Sequence, residues 1–200
     1  KERVVLLKTL TTVASVALPI EERWSVKRCR YAPDGSSVGR VCIATGTHGD
    51  EMMGQLIIYL VQRRIGEHPD ALRGTVDFYP MLNPLGLDIG ERLVPSGTRL
   101  DMNRAFPGSP NGTPLEYMCH QVIQDMRGAD LVLDLHASAR NKSELYEVRV
   151  SAKEAERLLP RVRALCPQLI WIYPDKGSFS ASLTGALGAV GTDAVILEAD

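Results

Sequence analysis

Apolar residues recur along this chain at two spacings. In LEYMCHQVIQDMR (115–127), Leu115, Met118, Val122 and Met126 fall three or four apart, which lines them up near one helical stripe. In ADLVLDLH (129–136) and DAVILEA (193–199) the apolar residues run almost unbroken, as in a buried strand. The same reading places strands near 12–18, 24–31 and 39–45, at 75–82, around 145–150 and at 168–173. Helices are expected from about 50 to 65, in SAKEAERLLPRVRAL (151–165) and at 180–190, with Pro160 expected to break or kink the second. IGEHPDALRG reads as a connection. From Asn83 to Pro114 neither periodicity holds, and the segment is polar and rich in Gly and Pro. A loop that long inside a compact domain is uncommon unless it has a function.

Strands alternating with helices indicate an α/β fold: a mixed, largely parallel sheet sandwiched by helices. Two hundred residues suffice for one large domain, or one domain with a fragment of another. The expectation is a single domain over 1–200, its N-terminal strands occupying about 1–38. In such sheets, sites gather at the carboxyl ends of strands. HGDE (48–51) follows one strand, His136 ends another, and Glu198 lies near the end of a third.

Composition narrows the function classes. A net charge of −1, without a basic stripe or aromatic platform, gives no drive toward nucleic acid or anionic membrane. The longest apolar run, LIIYLV (56–61), is far too short to span a bilayer. The basic opening KERVVLLK precedes apolar residues, but Lys8 and the threonines after it favour strands over a signal peptide. Cys29, Cys42, Cys119 and Cys166 are scattered with no CxxC spacing, and read as reduced, mostly buried thiols of a cytoplasmic protein. Trp24 and Trp171 are expected in the core or at an edge, and Met52 and Met53 facing the core.

The candidate chemistry begins with HGDE. Gly46 and Gly49 allow a tight backbone path, and Glu51 is expected in the first helical turn, where residues three apart share a face and His48 and Glu51 can point at one ion. A catalytic zinc takes three protein ligands and leaves a fourth position for water. His136, from a distant strand, is the natural third. Asp134, two residues earlier on the same strand face, could orient its imidazole. A plainer reading makes His48 a turn cap and His136 a hydrogen-bonded core residue, and these residues alone leave both open. His68 and His120 read as surface or structural.

The long loop carries Arg92, Arg99 and Arg104, with Asn103 beside the last. Guanidinium groups bind carboxylates bidentately and stabilise oxyanions, yet on composition alone these are ordinary arginines of a solvated loop. The order of motifs changes that. HGDE, then NP…R…DMNRAFPG, then DLH, then a late strand bearing glutamate, resembles the succinylglutamate desuccinylase/aspartoacylase branch of the zinc-carboxypeptidase-like hydrolases. The resemblance runs from about Arg40 to Asp200. It implies one zinc per chain, with His48, Glu51 and His136 as ligands. It implies that Asn103 and Arg104, in DMNR where the family has DLNR, bind a substrate carboxylate. Arg92, or as second choice Arg99, would polarise the scissile carbonyl. Glu198 in VILEAD would be the general base, although Ala199 and Asp200 replace the family's glycine. Ser138 and Arg140 could reach the substrate or be loop residues.

The resemblance therefore implies a zinc-dependent deacylase acting on an N-acyl amino acid or related small amide. The alternatives are a zinc carboxypeptidase acting on short peptides and a non-catalytic metal-binding module. A small-molecule substrate is the expected partner, with no nucleic acid and no membrane, and homo-oligomerisation is left open. Family members continue into a C-terminal, often β-rich region that closes the substrate channel. The sequence stops two residues after Glu198, so that region is expected to be missing here.

Overall fold

Eight strands form one sheet in the computed structural model, which describes residues 6–18, 21–35, 37–95, 100–138, 144–174 and 177–199. In chain order they are β1 (Leu6–Ala17), β2 (Arg23–Pro33), β3 (Arg40–Thr45), β4 (Thr75–Tyr79), β5 (Leu131–His136), β6 (Glu147–Ser151), β7 (Leu169–Tyr173) and β8 (Ala194–Glu198). Their spatial order is β1-β2-β4-β3-β5-β8-β6-β7. β4, β3, β5 and β8 are mutually parallel, as are β6 and β7. β1, β2 and β4 pair antiparallel, as do β8 and β6. The sheet is mixed and largely parallel, as the alternation of elements predicts, and the N-terminal strands extend that same sheet.

Helices cover both faces. α1 (Met53–Glu67) and α4 (Ala155–Arg163) bury Ile58, Leu158 and Val162 against Phe78, Leu135 and Val148. On the other face, α3 (Pro114–Met126) and α5 (Leu183–Ala189) bury Met118, Val122, Leu183 and Leu187 against Tyr79, Ala44 and Val132. Each such side chain contributes about 1.5–3 kcal/mol relative to exposure. The α3 stripe is as periodicity predicts, and Thr113 with Glu116 closes a capping box at its start. β3 leads through α1 to β4 on one side, and β4 leads back through α3 to β5 on the other. Right-handed crossovers in opposite directions place those helices on opposite faces. The crevice where the chain changes direction therefore lies at the carboxyl ends of β3 and β5.

Several expectations need correction. The segment from Asn83 onward is not structureless: α2 (Pro84–Ile89) forms a short helix, capped by the Asn83 side chain and ended by Gly90 in the left-handed region. Its six residues are too few to show a period, but Asn-Pro before and Gly after are cap signals. α4 continues through Pro160, which faces solvent, so the Glu156 carbonyl it frees can bond water while Ala155, Leu158 and Val162 anchor the buried side. β1 begins at Leu6, well before position 12. Met52 and Met53 are exposed rather than facing the core, because α1 begins at Met53 and turns Gly54 and Ile58 inward. Trp24 is in the core and Trp171 lies at the sheet edge, 44% exposed. All four cysteines are free, with Cys166 the exposed one. Among the described residues, no helix is long and apolar enough to cross a membrane.

Candidate metal centre

His48 and Glu51 meet through a turn rather than a helix. After β3 the chain bends at Gly46 (φ 73°), and the Glu51 N–H reaches the His48 carbonyl at 3.4 Å, two residues before α1 starts. Gly49 lies in that turn against the start of α2: a Cβ there would come within 2.0 Å of the Gly86 carbonyl carbon. The loop after β4 straps down the same turn, with the Asn83 N–H donating to Gly46 O at 2.8 Å. Local geometry thus requires glycine on either side of the histidine.

Glu51 then sits between two imidazoles. His48 Nδ1 is 2.8 Å from its Oε1, and His136 Nδ1 is 2.9 Å from its Oε2. All three side chains are buried, and their ligand atoms lie within 4.8 Å of one another. The outward nitrogens are held by two more carboxylates: His48 Nε2 is 3.2 Å from Asp101, and His136 Nε2 is 3.1 Å from Asp134. Asp134 is fully buried, and its second oxygen has no hydrogen-bond partner among the described residues, so its charge is directed at His136. The Asp134 pairing matches expectation. Asp101 was missed, although it opens the DMNR motif; nothing local ties it to a histidine 53 positions away.

Charge follows this geometry. Burial alone would lower the proton affinity of His48, but its hydrogen bonds to Asp101 and Glu51 raise it. Burial likewise works against His136, and Asp134 with Glu51 raises it well above the ordinary histidine value. Burial would raise Glu51, yet the two imidazoles hold it far below the usual carboxylate range. A carboxylate gripped by two imidazoles through their Nδ1 atoms, each braced behind by an acid, offers the donor set of a divalent metal. The metal would displace the inner protons while the outer nitrogens stay bonded to Asp101 and Asp134. The residues fit such an ion.

Arg92, Asn103, Arg104, Ser138 and Glu198 line one cavity of about 260 Å³ with these ligands. Arg92 is 45% exposed and donates to Glu51 Oε1 at 2.6 Å. Asn103 is buried in a short 3-10 turn (Met102–Arg104), where its Oδ1 accepts from Leu183 N–H at 3.1 Å, leaving its NH2 for other partners. Arg104 is at the cavity rim. Glu198 is 8% exposed rather than solvated, and lies beside His136 because β5 and β8 pair those two residues. Burial raises its proton affinity, with His136 and Arg149 opposing. Ser138 lines the cavity. Arg99 and Arg140 lie outside the described residues. His68 is exposed and His120 half-buried, both apart from the cavity.

Known proteins share parts of this sequence and its fold. Residues 37–199 match the model of the succinylglutamate desuccinylase/aspartoacylase catalytic domain. An N-alpha-acetyl-L-2,4-diaminobutyric acid deacetylase from Halomonas elongata is 33% identical over 98 residues, 48% of this chain and 27% of that protein. A succinylglutamate desuccinylase/aspartoacylase from Rhodobacter sphaeroides superposes with a TM-score of 0.79 at 21% identity, covering 98% of this chain and 59% of that one. A metallo-carboxypeptidase from Burkholderia cenocepacia gives 0.74 at 17% identity, covering 96% and 55%. At those identities the likeness is one of fold. The chain spans less than two thirds of the length of each of these solved structures, and its match covers about a quarter of the deacetylase.

Proposed function

The chain belongs to the succinylglutamate desuccinylase/aspartoacylase family, and on that premise we propose that it is a zinc-dependent amide hydrolase that removes the acyl group from an N-acyl amino acid or a related small amide. The observation that carries the reading is the cradle of His48, Glu51 and His136, open to the cavity that also holds Glu198. Zinc bound there would supply a Lewis acid for the scissile carbonyl and lower the pKa of the attacking water.

The other steps belong to the chain's own side chains. Arg104 and the Asn103 amide hold the carboxylate of the amino acid, which fixes the scissile bond in the cavity. Glu198 takes the proton from water as it attacks and hands it to the departing amine. Arg92 is long and nearly half exposed, so it can swing from Glu51 to the carbonyl oxygen and stabilise the developing charge. Asp101 and Asp134 keep the two imidazoles in their ligating orientation. We place the enzyme in the cytoplasm, where its unpaired thiols would stay reduced.

Elemental analysis of protein purified without chelator, beside a His136→Ala variant, tests the metal. The expected result is near one zinc per chain, lost in the variant; protein that takes up no metal even when zinc is offered would sink the mechanism. Hydrolysis of acylated amino acids set against a short-peptide panel then tests the substrate class.

A further inference from the structure

Arg149 stands in the catalytic cavity with no part in the steps above. It projects from β6 on the sheet face opposite Val148 and Val150, which pack beneath α4. Its Nη1 lies 2.8 Å from Glu198 Oε1, its Nε donates to Glu147 Oε1 at 2.5 Å, and its guanidinium carbon is 4.9 Å from the centre of the Trp171 ring. Strand register creates this arrangement. β8 and β6 pair Glu198 with Glu147 and Ile196 with Arg149, and β6 and β7 pair Arg149 with Trp171. Three adjacent strands thus supply, in order, a cavity carboxylate, a cation and an aromatic face.

We propose that Arg149 is a positioning residue that holds the Glu198 carboxylate in the cavity, and that Trp171 and Glu147 hold Arg149 in turn. The proposal rests on the reading of Glu198 as the base. A glutamate at the end of a strand can turn about three side-chain bonds, and a proton acceptor misplaced by an ångström loses much of its value. A close ion pair restricts that freedom. Binding of substrate by Arg149 is disfavoured, since a substrate carboxylate would have to displace one of two carboxylates already on the guanidinium. Arg104 differs: its Nη1 donates to the backbone oxygen of Asn103. The arrangement also accounts for a tryptophan 44% exposed on an edge strand. Its ring is the flat support on which a guanidinium stacks, and a lysine would not replace that geometry.

The test measures kcat and KM for R149M, R149K and W171L, alone and in an E198Q background, and adds a crystal structure of R149M. R149M is expected to lower kcat on the order of 10- to 100-fold with KM held within about twofold. R149K should recover part of that loss, and W171L should cost about two- to fivefold in kcat. In the E198Q background R149M should add nothing, because its effect passes through the carboxylate that is already disabled. The R149M crystal structure should show Glu198 turned away from its present position. A raised KM at unchanged kcat, or a loss that multiplies with E198Q, would overturn the proposal, and so would an unmoved Glu198 in the R149M crystals. Undiminished hydrolysis by E198Q alone would instead remove the base itself, which separates failure of the functional reading from failure of the Arg149 assignment.

Discussion

Glu51 and Asp77 are both buried carboxylates, 5% and 0% exposed, and each is gripped by cations. Asp77 sits in the middle of β4 and accepts two hydrogen bonds from Arg30 at 2.7 and 2.8 Å and one from Arg40 at 2.7 Å, with Arg28 3.7 Å away. Arg28 and Tyr79 carry the network on to Asp125 of α3, at 2.7 and 2.6 Å. Glu51 sits in a turn at the sheet's carboxyl edge and is held by His48 and His136, with Arg92 on the open side. The difference lies in the partners. Arginine never gives up its proton in a protein and cannot ligate a metal, so the Asp77 cluster is permanent and ties β2, β3, β4 and α3 together. An imidazole can lose its proton and offer a lone pair, so the Glu51 cradle can exchange its contents. Equal burial thus supports structure in one place and chemistry in the other.

The sharpest break of this contrast is Glu51→Gln, which should abolish metal uptake and reduce hydrolysis to the buffer rate while the fold persists; metal content and activity read both, and a variant that still binds zinc would equate the two clusters. Asp77→Asn should do the opposite. It leaves arginine charges with one partner fewer and should cost about 3 kcal/mol, at the low end for a broken buried pair because those arginines are partly exposed. Denaturant melts measure it, with zinc content expected to stay at the wild-type level.

The same pair predicts a pH dependence. Burial opposes ionisation of Asp77, but Arg30 and Arg40 hold its pKa below 3.8, so its stabilisation is complete above about pH 4 and is lost as pH falls through the depressed value. Stability measured between pH 5 and 2 should therefore drop more steeply in the wild type than in Asp77→Asn; parallel curves would count against the cluster. Asp134→Asn should weaken metal affinity about 10- to 100-fold without removing a ligand, as chelator competition would show. The smallest effect is expected for Arg28→Lys, about 1 kcal/mol, since lysine keeps a cation beside Asp125 while losing the guanidinium's second contact.

The sequence by itself determined the alternation of strands and helices, the core stripe of α3, and the three positions that place His48, His136 and Glu198 at strand ends. Those features arise from periodicity and from residues a few places apart, where the side chain and the backbone conformation it prefers are read together. The tertiary structure alone decided what those groups touch. The turn that joins His48 to Glu51, the grip of Asp101 on His48, the burial of Glu198 beside His136 and the Arg149–Trp171 brace each depend on a loop packed against another or on the register between strands far apart in the chain. A short helix such as α2 escapes periodicity for a related reason: fewer than two turns hold too few residues to repeat. Local pattern marks which residues can do chemistry, and long-range pairing sets the distances and charges that let them do it.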